Sequence, residues 1–312
     1  MKRLIAPFVM LLAITFAFVW FALPEPVSRF LLNLNNTSAG LSSKTLTTTI
    51  GDIQYLEGGQ GETIVLLHGI YARKEHWVDL ARELTKRFRV IAIDLPGFGD
   101  NQIRQPQQYR LKTQANNLDV VLQSLNIESA HIGANSMGAQ VVSLLAIARP
   151  EVIKSLAFIG SPLGVTSPIK SEMENALING NIPLLVKTEA DFEQRNNWLF
   201  PKTPAIPSPI MKTWMHQELT NSVRNEEIWH AVNDFSDTRT LLEIAPFLSM
   251  PTLIIWCQQD RIFHVSGAKT LARVLPNSKL TILENCGHVP MLDKPKEVSE
   301  VYLSFLKRNL GN

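Results

Sequence analysis

The strongest constraint on this chain's fold is a series of short apolar runs spaced by helical patterns. Residues 63–67 read Thr-Ile-Val-Leu-Leu and residues 89–93 read Arg-Val-Ile-Ala-Ile, with no polar residue on alternate positions. Successive strand residues point to opposite faces, so such a run is buried on both sides, as in a parallel sheet covered by helices. Further β-rich runs stand at 129–132, 155–159, 252–256 and 279–283. Helical patterns fall between them at 76–87, 111–125, 136–148, 265–275 and 296–309. Residues 45–50 and 53–57 read as an opening hairpin around Gly51-Asp52. This alternation predicts an α/β fold, a mostly parallel doubly wound sheet built from 44–161 and 246–312.

Residues 162–245 interrupt the alternation without a convincing strand. Ser167-Pro168 and Ser208-Pro209 each place a capping residue before a proline, and Thr188 with Asp191 forms a variant capping box. We expect a helical cap over the carboxyl edge of the sheet. Its many apolar side chains mostly form its own core. A minority are expected to line an acyl pocket, with Trp198, Phe200 and Trp214 the candidates. The insert holds 11 acidic and 7 basic residues, so its overall field does not attract anionic surfaces.

At the amino terminus, Lys2 and Arg3 precede an uncharged run, 4–23, in which only Thr15 is polar. Twenty helical residues span about 30 Å, the apolar thickness of a bilayer. The run ends Trp20-Phe21-Ala22-Leu23-Pro24, a poor cleavage site, so we expect 1–23 to be an uncleaved transmembrane anchor. Secretion after signal cleavage is the alternative. The positive residues stay inside, which puts the catalytic domain outside the cytoplasm, at the periplasmic face in a bacterium. Residues 24–43 read as a tether with one apolar patch, Phe30 to Leu34.

The chemistry lies at the carboxyl ends of the predicted strands, where α/β sheets gather their ligands. Strand 129–132 runs into Gly133-Ala134-Asn135-Ser136-Met137-Gly138 and then a helix. A nucleophilic serine on a strand-to-helix turn needs small residues two positions either side, here Ala134 and Gly138. Asp260 follows strand 252–256 and His288 follows strand 279–283, giving the chain order Ser, Asp, His. A serine hydroxyl needs a base, which His288 supplies near neutral pH, and Asp260 would hold the imidazole tautomer. His68-Gly69-Ile70 follows strand 63–67, so the backbone N–H groups of Ile70 and Met137 are the expected oxyanion hole. His68 itself reads as a turn-shaping residue. His76, His131, His216, His230 and His264 lack the setting of a base in a loop after a late strand. Neither a phosphate loop nor metal-ligand spacing appears, so no cofactor and no metal are expected. A net charge of +2 provides no basic field for nucleic acid.

Together His68-Gly69, Asp94-x-Pro-Gly-x-Gly99, Asn135-Ser136-Met137-Gly138, Trp256-x-x-x-Asp260 and Gly287-His288-x-Pro290 resemble the α/β-hydrolase superfamily over roughly 44–310. Within it, the elbow, the cap with Phe200-Pro201 and Ile206-Pro207, and the amino-terminal segment resemble the bacterial lipase and membrane-bound monoacylglycerol lipase branch. The resemblance implies a serine carboxylic-ester hydrolase acting on acyl esters, with lipid as substrate partner. Ala134 departs from the usual glycine of the elbow, and Cys257 from the glycine common after the strand tryptophan. Cys257 and Cys286 each neighbour a catalytic loop; a disulfide between them would pin the Asp260 and His288 loops together. Two other functions remain open: a carbon–carbon bond hydrolase of the meta-cleavage type, which uses the same triad, and a non-catalytic ligand receptor on the same fold.

Overall fold

The computed structural model describes residues 10, 14–15 and 17–309. Eight strands form one sheet: β1 (Leu41–Thr48), β2 (Gly51–Gly58), β3 (Thr63–Leu67), β4 (Arg89–Ile93), β5 (Ala130–Ser136), β6 (Ile153–Pro162), β7 (Thr252–Cys257) and β8 (Ser278–Leu283). Their order is β1-β2-β4-β3-β5-β6-β7-β8, antiparallel at β1 and β2 and parallel from β4 to β8.

The doubly apolar runs have a direct structural cause. Val65, Leu67, Ile91 and Ile93 enter one core, which Leu118, Val121, Leu145 and Leu271 complete from three helices. Their neighbours Ile64, Leu66, Val90 and Ala92 enter a second core on the other face, completed by Leu80, Leu84, Tyr302 and Phe305. A polar residue at any of these positions would lose water on whichever face it met.

The helices of the first face are Leu111–Ser124, Met137–Ala148 and Ser266–Val274; those of the second are Val78–Leu84 and Pro295–Asn309. The insert forms five helices: Glu172–Ile178, Glu189–Leu199, Ser208–Thr220, Ser222–Val232 and Leu241–Ile244. Thr188 and Asp191 make the expected capping box. Ser167-Pro168 starts no helix; Ser171, boxed with Glu174, starts the first one instead. Ser208 is the first helical residue and not a cap, and its hydroxyl accepts a hydrogen bond from Trp20 Nε1 at 3.1 Å.

Two further expectations need correction. Residues 24–43 are not a tether: Pro24–Ser38 is a helix that packs along Ser208–Thr220 of the cap, and β1 begins at Leu41. Its prolines occupy the first turn, where no N–H is needed, and Gly40 at φ 74 ends it. The loop-like Asn and Ser residues serve as contacts: Asn36 is buried, and Asn35 Oδ1 accepts from Arg82 Nη2 at 2.7 Å. The hairpin turns at Thr49-Ile50, with Thr48 paired to Gly51, so Gly51-Asp52 belongs to β2. Half of the anchor segment 4–23 lies outside the described residues, and among the described residues no helix is long and apolar enough to cross a membrane.

Cys257, at the end of β7, is bonded to Cys286 in the loop after β8, with a Cα separation of 5.3 Å. Both are fully buried. Closing a segment of 29 residues restricts the unfolded chain and stabilises the fold by about 4 kcal/mol. Thiol titration of the unfolded protein should find no free cysteine before reduction and two after it. The pair Cys257→Ala with Cys286→Ala should unfold at lower denaturant; two free thiols without reduction would refute the bond.

Candidate active site

β5 ends at Ser136 and the helix Met137–Ala148 starts at the next residue, with no connecting loop. The reversal places Ser136 at φ 52, ψ −117, a conformation that side-chain-bearing residues rarely adopt. It requires close packing. A Cβ on Gly138 would lie 2.6 Å from the His68 carbonyl oxygen, so no larger residue fits there. Ala134 is less constrained, because its methyl group points into the first core.

The loop after β3 lies directly on Ser136. A Cβ on Gly69 would meet Ser136 Cβ at 3.0 Å. His68 is fully buried, which holds its pKa below the usual range. Its Nε2 accepts from the Leu95 N–H at 3.0 Å, so Nδ1 carries the proton and donates to the Gly69 carbonyl at 2.7 Å. With both nitrogens engaged, His68 shapes the turn and cannot serve as the base. Ile70 and Met137 line the same cavity as Ser136. Met137 opens its helix, so its N–H has no intrahelical partner.

Asp260 and His288 meet between the loops after β7 and β8. Asp260 Oδ1 accepts the N–H groups of Ile262 and Phe263 at 2.8 and 3.1 Å, which fixes the carboxylate. His288 Nδ1 stands 3.1 Å from Asp260 Oδ2. Ser161, at the carboxyl end of β6, completes a triangle: its hydroxyl donates to Asp260 Oδ2 at 2.5 Å and accepts from His288 Nδ1 at 2.8 Å. Both contacts use Nδ1, which leaves Nε2 as the nitrogen able to act as base.

The elbow and the histidine loop are tied by Asn135. Its Nδ2 donates to the carbonyls of Ile159 and His288 at 2.8 and 3.1 Å. Gly160, at φ 82, leaves room for this; a Cβ there would sit 2.5 Å from both Asn135 Nδ2 and the His288 carbonyl. The cap holds the same loop, since the His288 N–H donates to the Leu199 carbonyl at 2.9 Å. Asp293 Oδ2 accepts the Gly287 N–H at 2.7 Å, and burial pushes its pKa up to about 6.

An apolar cavity of about 50 Å³ opens beside Ser136, walled by Met173, Leu184, Trp229, Ile262 and Phe263. The Phe263 ring packs 5.7 Å from the His288 imidazole, which links the cavity to His288. None of the three aromatic residues expected to line it borders it directly, although Trp198 packs against the Met173, Leu184, Trp229 and Ile262 cluster that forms its wall. Phe200 is buried in the second core, and Trp198 lies under the Arg261 guanidinium at 4.6 Å. Trp214 packs at a tilt against His76 and lies under the Arg73 guanidinium, at the border of a separate polar cavity. Among the described residues, no three His, Cys, Asp or Glu side chains are grouped to hold a metal.

Sequence reasoning passed over Ser161 and the structural role of Asn135. A small polar residue at the carboxyl end of a buried strand, Gly160-Ser161, was the available signal, since the other reactive groups share that position.

A family model described as the alpha/beta hydrolase fold matches residues 62–295. Lipase 1 of Psychrobacter immobilis is 28% identical over 289 residues, covering 91% of this chain and 90% of that protein. Monoacylglycerol lipase abhd6-B of Xenopus laevis is 27% identical, covering 80% and 76%. The crystal structure of a bacterial membrane phospholipase A superposes with a TM-score of 0.88 at 33% identity, covering all of both chains. The chain therefore belongs to the α/β-hydrolase fold family, in its lipase branch.

Proposed function

We propose that the protein hydrolyses acyl esters of glycerolipids through an acyl-enzyme on Ser136. The observation that carries this reading is the strained elbow of Ser136, tied through Asn135 to the histidine of an Asp260–His288 pair and opening on an apolar cavity. His288 Nε2 takes the Ser136 proton as the oxygen attacks the ester carbonyl, and Asp260 stabilises the imidazolium. The N–H groups of Ile70 and Met137 receive the oxyanion. His288 then protonates the leaving alcohol and activates the water that frees the acid. Ser161 acts through this pair, fixing the carboxylate and the imidazole against one another.

The names of the relatives, lipases and a phospholipase, support a lipid ester as substrate. The uncharged run 4–23 supports membrane attachment with the catalytic domain outside the cytoplasm. The buried disulfide fits the same compartment, because such bonds persist where the surroundings are oxidising.

The test is hydrolysis of a 4-nitrophenyl ester series from acetate to palmitate, beside Ser136→Ala. Medium or long chains should be preferred, and the variant should lose roughly 10⁴-fold or more in kcat. Preference for acetate would refute the lipid reading, and undiminished turnover by Ser136→Ala would refute the mechanism. Ser161→Ala removes a hydrogen bond to a charged group and should cost about tenfold in kcat, with KM little changed. Ser161→Thr, which keeps the hydroxyl, should recover most of it. If both variants match the parent, Ser161 has no part in holding the pair.

A further inference from the structure

A second cavity, of about 270 Å³, lies between the cap helices Ser208–Thr220 and Ser222–Val232 and the loops after β3 and β4. Its wall differs in kind from that of the Ser136 cavity. Arg73, Arg195 and Arg224 line it, against the carboxylates of Asp100 and Glu218. Among the lining residues alone, one positive charge is left over; behind them the buried Lys74 pairs with Asp100 at 2.5 Å and with Glu75 at 3.0 Å. His76 adds none, since burial pushes its pKa down to about 3.

Its hydrogen-bonding groups are also unbalanced. Among the described residues, Arg195 Nε, Arg224 Nε and Nη1, and Trp214 Nε1 are buried without a partner, and all belong to residues that line this cavity. His76 Nδ1 is buried without a partner too. Apart from His76 Nδ1, which donates or accepts according to the tautomer, no buried acceptor in the same condition belongs to the lining. Arg195 and Arg73 each have one acidic neighbour, Glu218 at 2.8 Å and Asp100 at 3.9 Å. An excess of N–H donors with one uncompensated charge matches a ligand rich in acceptors and singly anionic, and guanidinium forks suit phosphate oxygens. The bulk cap is acidic, so this complementarity is local to the cavity.

Placement ties the cavity to the reacting centre. Ile70 and Trp229 face the Ser136 cavity, whereas Tyr71 and Ile228, their chain neighbours, face the polar one. These two dipeptides form the partition. Tyr71, at φ 57, is fixed in it by donating from its hydroxyl to the Asn225 carbonyl at 2.5 Å. Arg73, Asp100, Trp214 and Gln217 also border a groove that runs to the helix Pro24–Ser38, the continuation of the segment expected to enter the membrane.

We propose that the polar cavity is a headgroup subsite that binds the phosphodiester of a glycerophospholipid while its acyl ester lies at Ser136. The assignment of the ester to Ser136 rests on the proposed function; the phosphate site does not.

The test uses the full chain in detergent. Arg224→Gln should lower the ratio of kcat/KM for a lysophosphatidylglycerol to that for the monoacylglycerol of the same chain by about tenfold, mostly through KM. Arg224→Lys should recover part of the ratio. Equal losses on both substrates would overturn the proposal, as would an unchanged ratio. Calorimetry on Ser136→Ala reads the subsite without turnover: glycerophosphoglycerol should bind, glycerol should not, and Arg224→Gln should weaken the first about tenfold. Phosphodiester binding without Ser136-dependent hydrolysis would leave the subsite and refute the catalytic reading. Inorganic phosphate binding alone, with no preference for the phosphodiester, would make this a free-anion site and overturn the headgroup assignment.

Discussion

Ser136 holds a backbone conformation that costs about 1–3 kcal/mol and persists only where its surroundings leave no alternative. Those surroundings comprise most of the molecule. The strand before it is locked between two cores, and the helix after it starts without a spacer. Gly138 abuts the carbonyls of Leu67 and His68, and Gly69 rests against the Ser136 side chain. Asn135 carries the constraint on to the histidine loop. The elbow is thus the point at which β3, β5, β6 and the loop after β8 are fixed relative to one another.

The remaining reactive groups are held by a chain of local contacts, each short and buried. Backbone N–H groups fix Asp260, Ser161 joins it to His288, and the disulfide joins the two loops from behind. The cap holds the histidine loop through Leu199 and supplies much of the apolar wall. On the other side of the Tyr71 partition, the same cap supplies guanidinium groups. One insert therefore contributes to an apolar compartment beside Ser136 and to a polar one across the Tyr71 partition, an arrangement suited to an amphiphile.

The doubly buried strands were legible in the sequence because burial on two faces forbids polar residues, and 63–67 and 89–93 obey this. Ser136, Asp260 and His288 could be singled out because each stands at the carboxyl end of a predicted strand, and the structure places Asp260 beside His288 there. The helix Pro24–Ser38 was not, since its apolar patch is short and its Asn and Ser residues look like a linker until Arg82 is placed opposite them. The aromatic residues of the cap show the same limit. Trp198, Phe200 and Trp214 all belong to a cap with several apolar surfaces, and only tertiary packing decides which residue meets which cavity. Ser161 escaped notice because its role depends on the distance between two other side chains.

The central claim is that Ser136 alone is activated. Incubation with a fluorophosphonate, followed by intact-mass and peptide analysis, tests it most directly. The account predicts a single adduct on the peptide bearing Ser136, absent in Ser136→Ala and slowed in His288→Ala. An adduct on another residue, or none on a folded protein, would contradict it.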